Sequence, residues 1–248
     1  MRAAARTDRG LVRETNQDTI FISGTAVGAL PNLFMVADGM GGHRAGDYCS
    51  RMLVDRIVEE LKKRPQELPA KALRAAIEAA NSSLFAEAQA HQELSGMGST
   101  LVAAFSEEAL LYVFNIGDSR LYFLRRDGAL EQVTRDHSYV EEMVNAGRME
   151  RGSTVYNQNK NIITRAVGIG ESAEADVFEL SLHEVDALLL CTDGLTNMLS
   201  DTEIAEILLR HSDPEQAAEE LIRAANARGG RDNISVVLVL PYGEEAAL

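Results

Sequence analysis

The sequence predicts an α+β fold built on antiparallel strands, and three patterns predict it. Short apolar segments suited to a pleated surface come in groups, four of them in close succession between residues 100 and 133. Two amphipathic helical stretches follow one another before that group. The 248 residues are 46% hydrophobic and 25% charged, the balance of an ordinary folded domain with a deep core rather than of a disordered chain. One domain over 1–242 is expected, with a frayed tail over 243–248.

The elements read in order as follows. Residues 19–22 and 33–37 are extended segments rich in β-branched and aromatic side chains. Over 44–63, Leu53, Ile57 and Leu61 recur every four residues while Arg51, Asp55, Glu59 and Lys62 fall elsewhere, which gives a helix with one apolar stripe. Pro69 suits a first helical position, where its missing N–H costs nothing, and Leu73, Ile77, Ala80 and Leu84 carry that second helix towards a stop before Ser95, Gly96 and Gly98. The segments 100–105, 110–116, 121–125 and 130–133, joined by short turns, read as an antiparallel meander. The polar stretch 147–161 has no sustained period and is expected to be a mobile excursion outside the core. Residues 187–191 form a buried strand, Ser200-Asp201-Thr202-Glu203 is a capping box opening a helix, and Asp213-Pro214-Glu215-Gln216 repeats that logic. A nearly continuous apolar strand over 234–240 closes the fold. No internal repeat is present.

A formal net charge of −14 makes nucleic acid or an anionic membrane surface a poor partner and cations a better one. Cys49 and Cys191 are too few for a disulfide framework or a thiolate metal site; each sits in an apolar run and reads as a buried small hydrophobe. No apolar leader opens the sequence and no uncharged stretch is long enough to span a bilayer, so a cytoplasmic location is expected.

The chemistry lies in where the aspartates fall. Asp38 follows the apolar run 33–37 and precedes Gly39; Asp193 follows 188–191 and precedes Gly194. Asp118 sits in the turn between two meander segments, Asp232 comes just before the last strand, and Arg13 and Asn16-Gln17-Asp18 precede the first. A single Asp-Gly pair is an ordinary turn. Several carboxylates converging would repel one another unless a hard divalent cation compensated them. All-oxygen ligation points to Mg2+ or Mn2+, and zinc is disfavoured because the five histidines show no ligand spacing.

Eight motifs in order give these residues a context. They are Gly10-Leu11-Val12-Arg13 with Asn16-Gln17-Asp18, the run from Val36 through Asp38-Gly39-Met40-Gly41-Gly42-His43, Gly98-Ser99-Thr100, and Ile116-Gly117-Asp118-Ser119-Arg120. Thr134-Arg135-Asp136-His137-Ser138, Ile163-Thr164-Arg165-Ala166-Val167-Gly168, Thr192-Asp193-Gly194-Leu195 and Gly230-Arg231-Asp232-Asn233 complete the set. Together they resemble the metal-dependent protein phosphatases of the type 2C class, in their compact bacterial form, over nearly the whole chain. The resemblance implies a four-layer α-β-β-α sandwich, two antiparallel sheets flanked by helices, with a metal centre at one edge between the sheets. It implies two to three Mn2+ or Mg2+ ions: Asp38 bridging two of them, Gly39 offering its carbonyl, Asp193 and Asp232 on the first, Asp18 supporting the second, and Asp118 with Asp193 forming a weaker third site.

The reaction so implied is direct hydrolysis of phosphoserine or phosphothreonine in proteins by a metal-activated water. Arg13 is the phosphate clamp, because its planar guanidinium donates two parallel hydrogen bonds. Met40 stands where many eukaryotic members of the class carry histidine; His43 is the candidate proton donor through water, or a structural residue. The resemblance places a flap around 144–165 beside the site. It also implies phosphorylated proteins as substrates, a bacterial serine/threonine kinase that it opposes among them; a monomer is expected, though no residue run fixes the oligomeric state. The competing readings are a pseudophosphatase or regulatory binding module, against which the intact Asp18, Asp38, Asp193 and Asp232 argue, and a hydrolase of small phosphoesters.

Overall fold

Strands that are apolar at nearly every position must bury both faces, and a computed structural model, describing residues 1–42 and 45–242, shows how they do so. The elements are β1 (Arg2–Asp8), β2 (Asp18–Ser23), β3 (Leu33–Met40), α1 (Ala45–Lys62), α2 (Pro69–Ala90), β4 (Gly98–Ser99), β5 (Leu101–Glu107), β6 (Leu110–Ile116), β7 (Arg120–Arg125) and β8 (Leu130–Gln132). They continue with α3 (Tyr139–Asn145), α4 (Thr154–Asn159), β9 (Asp176–Ser181), β10 (Val185–Cys191), α5 (Asp193–Thr196), α6 (Asp201–Arg210), α7 (Pro214–Ala227) and β11 (Ile234–Leu240).

One sheet runs β1-β11-β10-β7-β8 and the other β2-β3-β5-β6-β9, with β4 pairing the end of β3; every pairing is antiparallel. Along β3 the side chains alternate in role, as the two-residue period of a strand demands. Phe34 and Val36 join Leu188, Leu190, Val237 and Val239 in the core between the sheets. Leu33 and Met35 face outward into a second core with Leu53, Ile57 and Leu61 of α1 and Leu73 and Ile77 of α2. On the other side Leu189, Val236 and Leu238 meet Ile204 and Ile207 of α6 and Leu221 of α7. The result is the expected four-layer α-β-β-α sandwich. Cys49 and Cys191 are free and buried in the two outer cores. Among the described residues no helix is long and apolar enough to cross a membrane.

Three expectations are corrected. The meander is split: β5 and β6 lie in one sheet, β7 and β8 in the other, and the chain crosses between sheets at Gly117, where φ is +102°. A Cβ there would lie 2.6 Å from the Thr100 side chain, so only glycine fits the crossing. Asp213 does not cap α7 with its side chain; it pairs with Arg2 at 2.9 Å instead, whereas Ser200 and Glu203 make both bonds of the capping box. The polar excursion holds a short helix, α4, with Ser153 capping it through the Tyr156 N–H, although none of its side chains is buried. The frayed tail expected over 243–248 falls outside the described residues.

Candidate metal centre

Antiparallel register puts two of the aspartates face to face: in the β2–β3 pair, Asp18 stands opposite Asp38. Like charges so placed destabilise a sheet unless something compensates them. From the opposing sheet, β10 delivers Asp193 into the first turn of α5, and Asp232 lies two residues before the start of β11. The crossing turn between β6 and β7 adds Asp118. Two glycines allow the approach. A Cβ on Gly194 would lie 1.8 Å from the Asn233 carbonyl oxygen, and one on Gly39 would lie 2.1 Å from the Gly46 carbonyl oxygen. Gly39 thus belongs to the strand itself and serves close backbone packing there rather than a turn, as sequence spacing suggests.

The five aspartates act on one another electrostatically. Burial first, then the charges of Asp18, Asp193, Asp118 and Asp232, hold the Asp38 carboxyl well above its ordinary range. Burial likewise pushes Asp18 up to about 7, against the pull of two hydrogen bonds. It pushes Asp118 up to about 8 and Asp193 up to about 6, the neighbouring carboxylates adding to both.

Hydrogen bonding at these groups is lopsided. Asp18 Oδ2 accepts from Thr192 Oγ1 at 2.9 Å and Ser235 Oγ at 2.7 Å, and Asp193 Oδ2 accepts from Asn197 Nδ2 at 2.8 Å. The other oxygen of each, together with Asp118 Oδ1, is buried with no hydrogen-bond partner. A buried carboxylate oxygen without a donor is costly. Carboxylate oxygens of this kind are the donors that hard divalent cations take, so the chemistry of the residues present fits such ions. Among the described residues no three His, Cys, Asp or Glu side chains enclose an ion unaided.

Arg13 reaches the same edge. Its Nη2 donates to Asp232 Oδ2 at 2.7 Å, and half of its side chain is open to solvent. Asp232, Asp38 and Asp193 hold its guanidinium above its ordinary range, the hydrogen bond to Asp232 being the largest cause. Asn233 fixes the loop bearing Arg13, donating to the Arg9 and Thr15 carbonyls at 2.9 Å each while accepting from the Gln17 N–H. His43 lies outside the described residues. Beside the aspartates a cavity of about 200 Å³ opens between Asp118, Asp193, Tyr156 and Lys160. Lys160 Nζ donates to Asn197 Oδ1 at 2.5 Å, and Asn197 in turn donates to Asp193 Oδ2.

Residue patterns alone miss Thr192, Ser235 and Asn197 as supports. Thr192 carries a signal, being next to Asp193, but the bond it makes is to Asp18 from the other sheet, which no local pattern reveals.

Known proteins share both the sequence pattern and the fold. The family model described as Protein phosphatase 2C matches residues 11–236. The serine/threonine phosphatase Stp of Listeria monocytogenes serovar 1/2a is 40% identical over 245 residues, spanning 96% of this chain and 95% of that protein. Among solved structures, the serine/threonine phosphatase Stp1 from Staphylococcus aureus superposes with a TM-score of 0.89 at 31% identity, covering 97% of this chain and 95% of the other. The catalytic domain of the phosphatase PstP, solved with two manganese ions, superposes with a TM-score of 0.79 at 35% identity, with 96% of each chain covered.

Proposed function

The chain belongs to the protein phosphatase 2C family and is a metal-dependent serine/threonine protein phosphatase, and from that premise we propose which of its residues do the work. Asp38 and Asp193 are the central metal ligands, with Asp18, Asp232, the Gly39 carbonyl and Asp118 completing sites for two to three Mn2+ or Mg2+ ions. The observation that carries this reading is the trio of buried, unpartnered oxygens on Asp18, Asp118 and Asp193. When bound, a pair of divalent cations lowers the pKa of a water held between them towards neutrality and neutralises charge on the phosphoryl group.

The protein's own groups supply position. Thr192 and Ser235 hold Asp18 by one oxygen and leave the other buried without a partner, free to take a cation. Asn197 does the same for Asp193. Arg13, paired with Asp232 and half exposed, takes two phosphate oxygens of a phosphoserine or phosphothreonine in this reading. His43 is the candidate donor to the leaving alkoxide. Residues 1–242 act as one catalytic domain, with 144–165 as its flap. The phosphorylated protein substrates include those of an opposing serine/threonine kinase, met by a monomer in the cytoplasm.

The test is hydrolysis of a phosphothreonine peptide with Mn2+, with Mg2+ and after chelation, beside a small phosphoester. Activity should require metal, favour the peptide, and fall by about a thousandfold or more in Asp38→Asn and Asp193→Asn. Substitutions that leave the metal-dependent rate intact would overturn the ligand assignment.

A further inference from the structure

One motif has no part in the centre described above: Thr134-Arg135-Asp136-His137-Ser138, between β8 and α3. In the structure it wraps the turn that carries Asp118. Asn115 Nδ2 donates to the Arg135 carbonyl at 2.8 Å, and the Leu121 N–H donates to Thr134 Oγ1 at 3.0 Å. Arg120 Nε and Nη2 grip the two oxygens of Asp136 at 2.7–3.1 Å. At the middle, the His137 N–H donates to the Gly117 carbonyl at 2.9 Å and the Gly117 N–H donates back to His137 Nδ1 at 3.1 Å. Bonds to Asn115, Gly117, Arg120 and Leu121 therefore bracket Asp118 on both sides.

His137 is buried, 6% exposed, and its ring is fully committed. Because Nδ1 accepts from a backbone N–H, the ring proton belongs on Nε2, which faces Asp176 Oδ2 at 3.2 Å; Arg165 Nη1 reaches the other oxygen of Asp176 at 3.0 Å. The same residue is where the flap leaves and returns. Ser138 bridges to Ile163, and the Thr164 N–H donates to the His137 carbonyl at 2.9 Å.

We propose that His137 is a positioning residue for metal binding at Asp118: through the Gly117 backbone it fixes the turn that presents the carboxylate, and through its own main chain it ties the flap's two roots to that turn. The inference rests on reading Asp118 as a metal ligand. Its consequence is that the ion held by Asp118 and the position of the flap are set by one residue that touches neither ion nor substrate.

The experiment is calorimetric titration of the metal-free, full-length protein with Mn2+, comparing wild type with D118A, H137A, H137N and H137Q. Asparagine places an acceptor where Nδ1 stands, keeping the bond to Gly117; glutamine keeps a polar group towards Asp176 and withdraws that acceptor. D118A should remove one weak binding event. H137A and H137Q should weaken that same event about tenfold, the scale of one lost buried hydrogen bond, while the tight events change less than about twofold and H137N binds as wild type does. If H137A does not fold, H137Q carries the same comparison. An unchanged weak event in H137A and H137Q while D118A abolishes it, or equal weakening of every event, overturns the positioning role. A titration that D118A leaves unaltered overturns the ligand reading itself, and the inference with it.

Discussion

Asp18 illustrates how single side chains set this site. It belongs to β2, yet both its hydrogen-bond donors come from the opposite sheet, Thr192 at the end of β10 and Ser235 in β11. Ser235 Oγ also lies 2.8 Å from Thr7 Oγ1, and the Ser235 N–H donates to Thr192 Oγ1, so the hydroxyls form one chain behind the carboxylate. Thr192→Val and Ser235→Ala should each cost roughly 1.5–3 kcal/mol at the carboxylate they orient. The expected readout is a phosphatase rate about tenfold or more lower at limiting Mn2+, recovering as Mn2+ is raised. A loss that saturating Mn2+ does not recover would mean that the hydroxyls serve something other than the metal-binding geometry. The double variant should fall short of the sum, because both donors serve one oxygen. Asp38 and Asp193 were legible because a strand end and a following glycine mark them; Ser235 was not, because it is one small polar residue inside an apolar strand.

Among elements, helix starts were the most legible and sheet partners the least. Pro69 and the Ser200 capping box announced their helices, since both signals are local backbone chemistry. Alternation says which face a residue takes, never which strand lies beside it, so the split of the meander between sheets could not be read. Two of the four edge strands hid for a related reason: β1 fully buries Ala4 alone, and β9 alternates half-buried with exposed residues, so neither stands out as apolar. Two substitutions separate an element's own stability from its service to the site. Ser200→Ala removes a cap worth about 0.5–2 kcal/mol and should lower the unfolding free energy by that amount while leaving kcat unchanged. Gly194→Ala sets a methyl group 1.8 Å from the Asn233 carbonyl oxygen, where backbone must yield. Because that contact brings Asp193 to Asp232, activity and Mn2+ affinity should collapse even where the variant remains folded by circular dichroism.

At the scale of the whole molecule, the sandwich concentrates carboxylates at one edge, and the metal-free fold must therefore hold protons there. Asp193, Asp18 and Asp118 give up theirs only towards about 6, about 7 and about 8, against an ordinary value of 3.8. Below 3.8 folded and unfolded chains are both protonated, and the stability is fully present. As pH rises the unfolded chain releases protons that the fold retains, so the metal-free protein loses stability progressively up to about pH 8. Carboxyls shifted the other way, such as Asp176 beside His137 and Arg165, act below the ordinary value and leave this window untouched. Cations reverse the trend, since they need the ionised carboxylates and bind more tightly as protons leave. Differential scanning calorimetry of the chelated protein should show a melting temperature that falls between about pH 5 and about pH 8, and a stabilisation by Mn2+ that grows over the same interval. A chelated melting temperature that is flat or rising there, or an Mn2+ effect equal at both ends, would mean that the aspartates are not sharing one edge as protons and metals require.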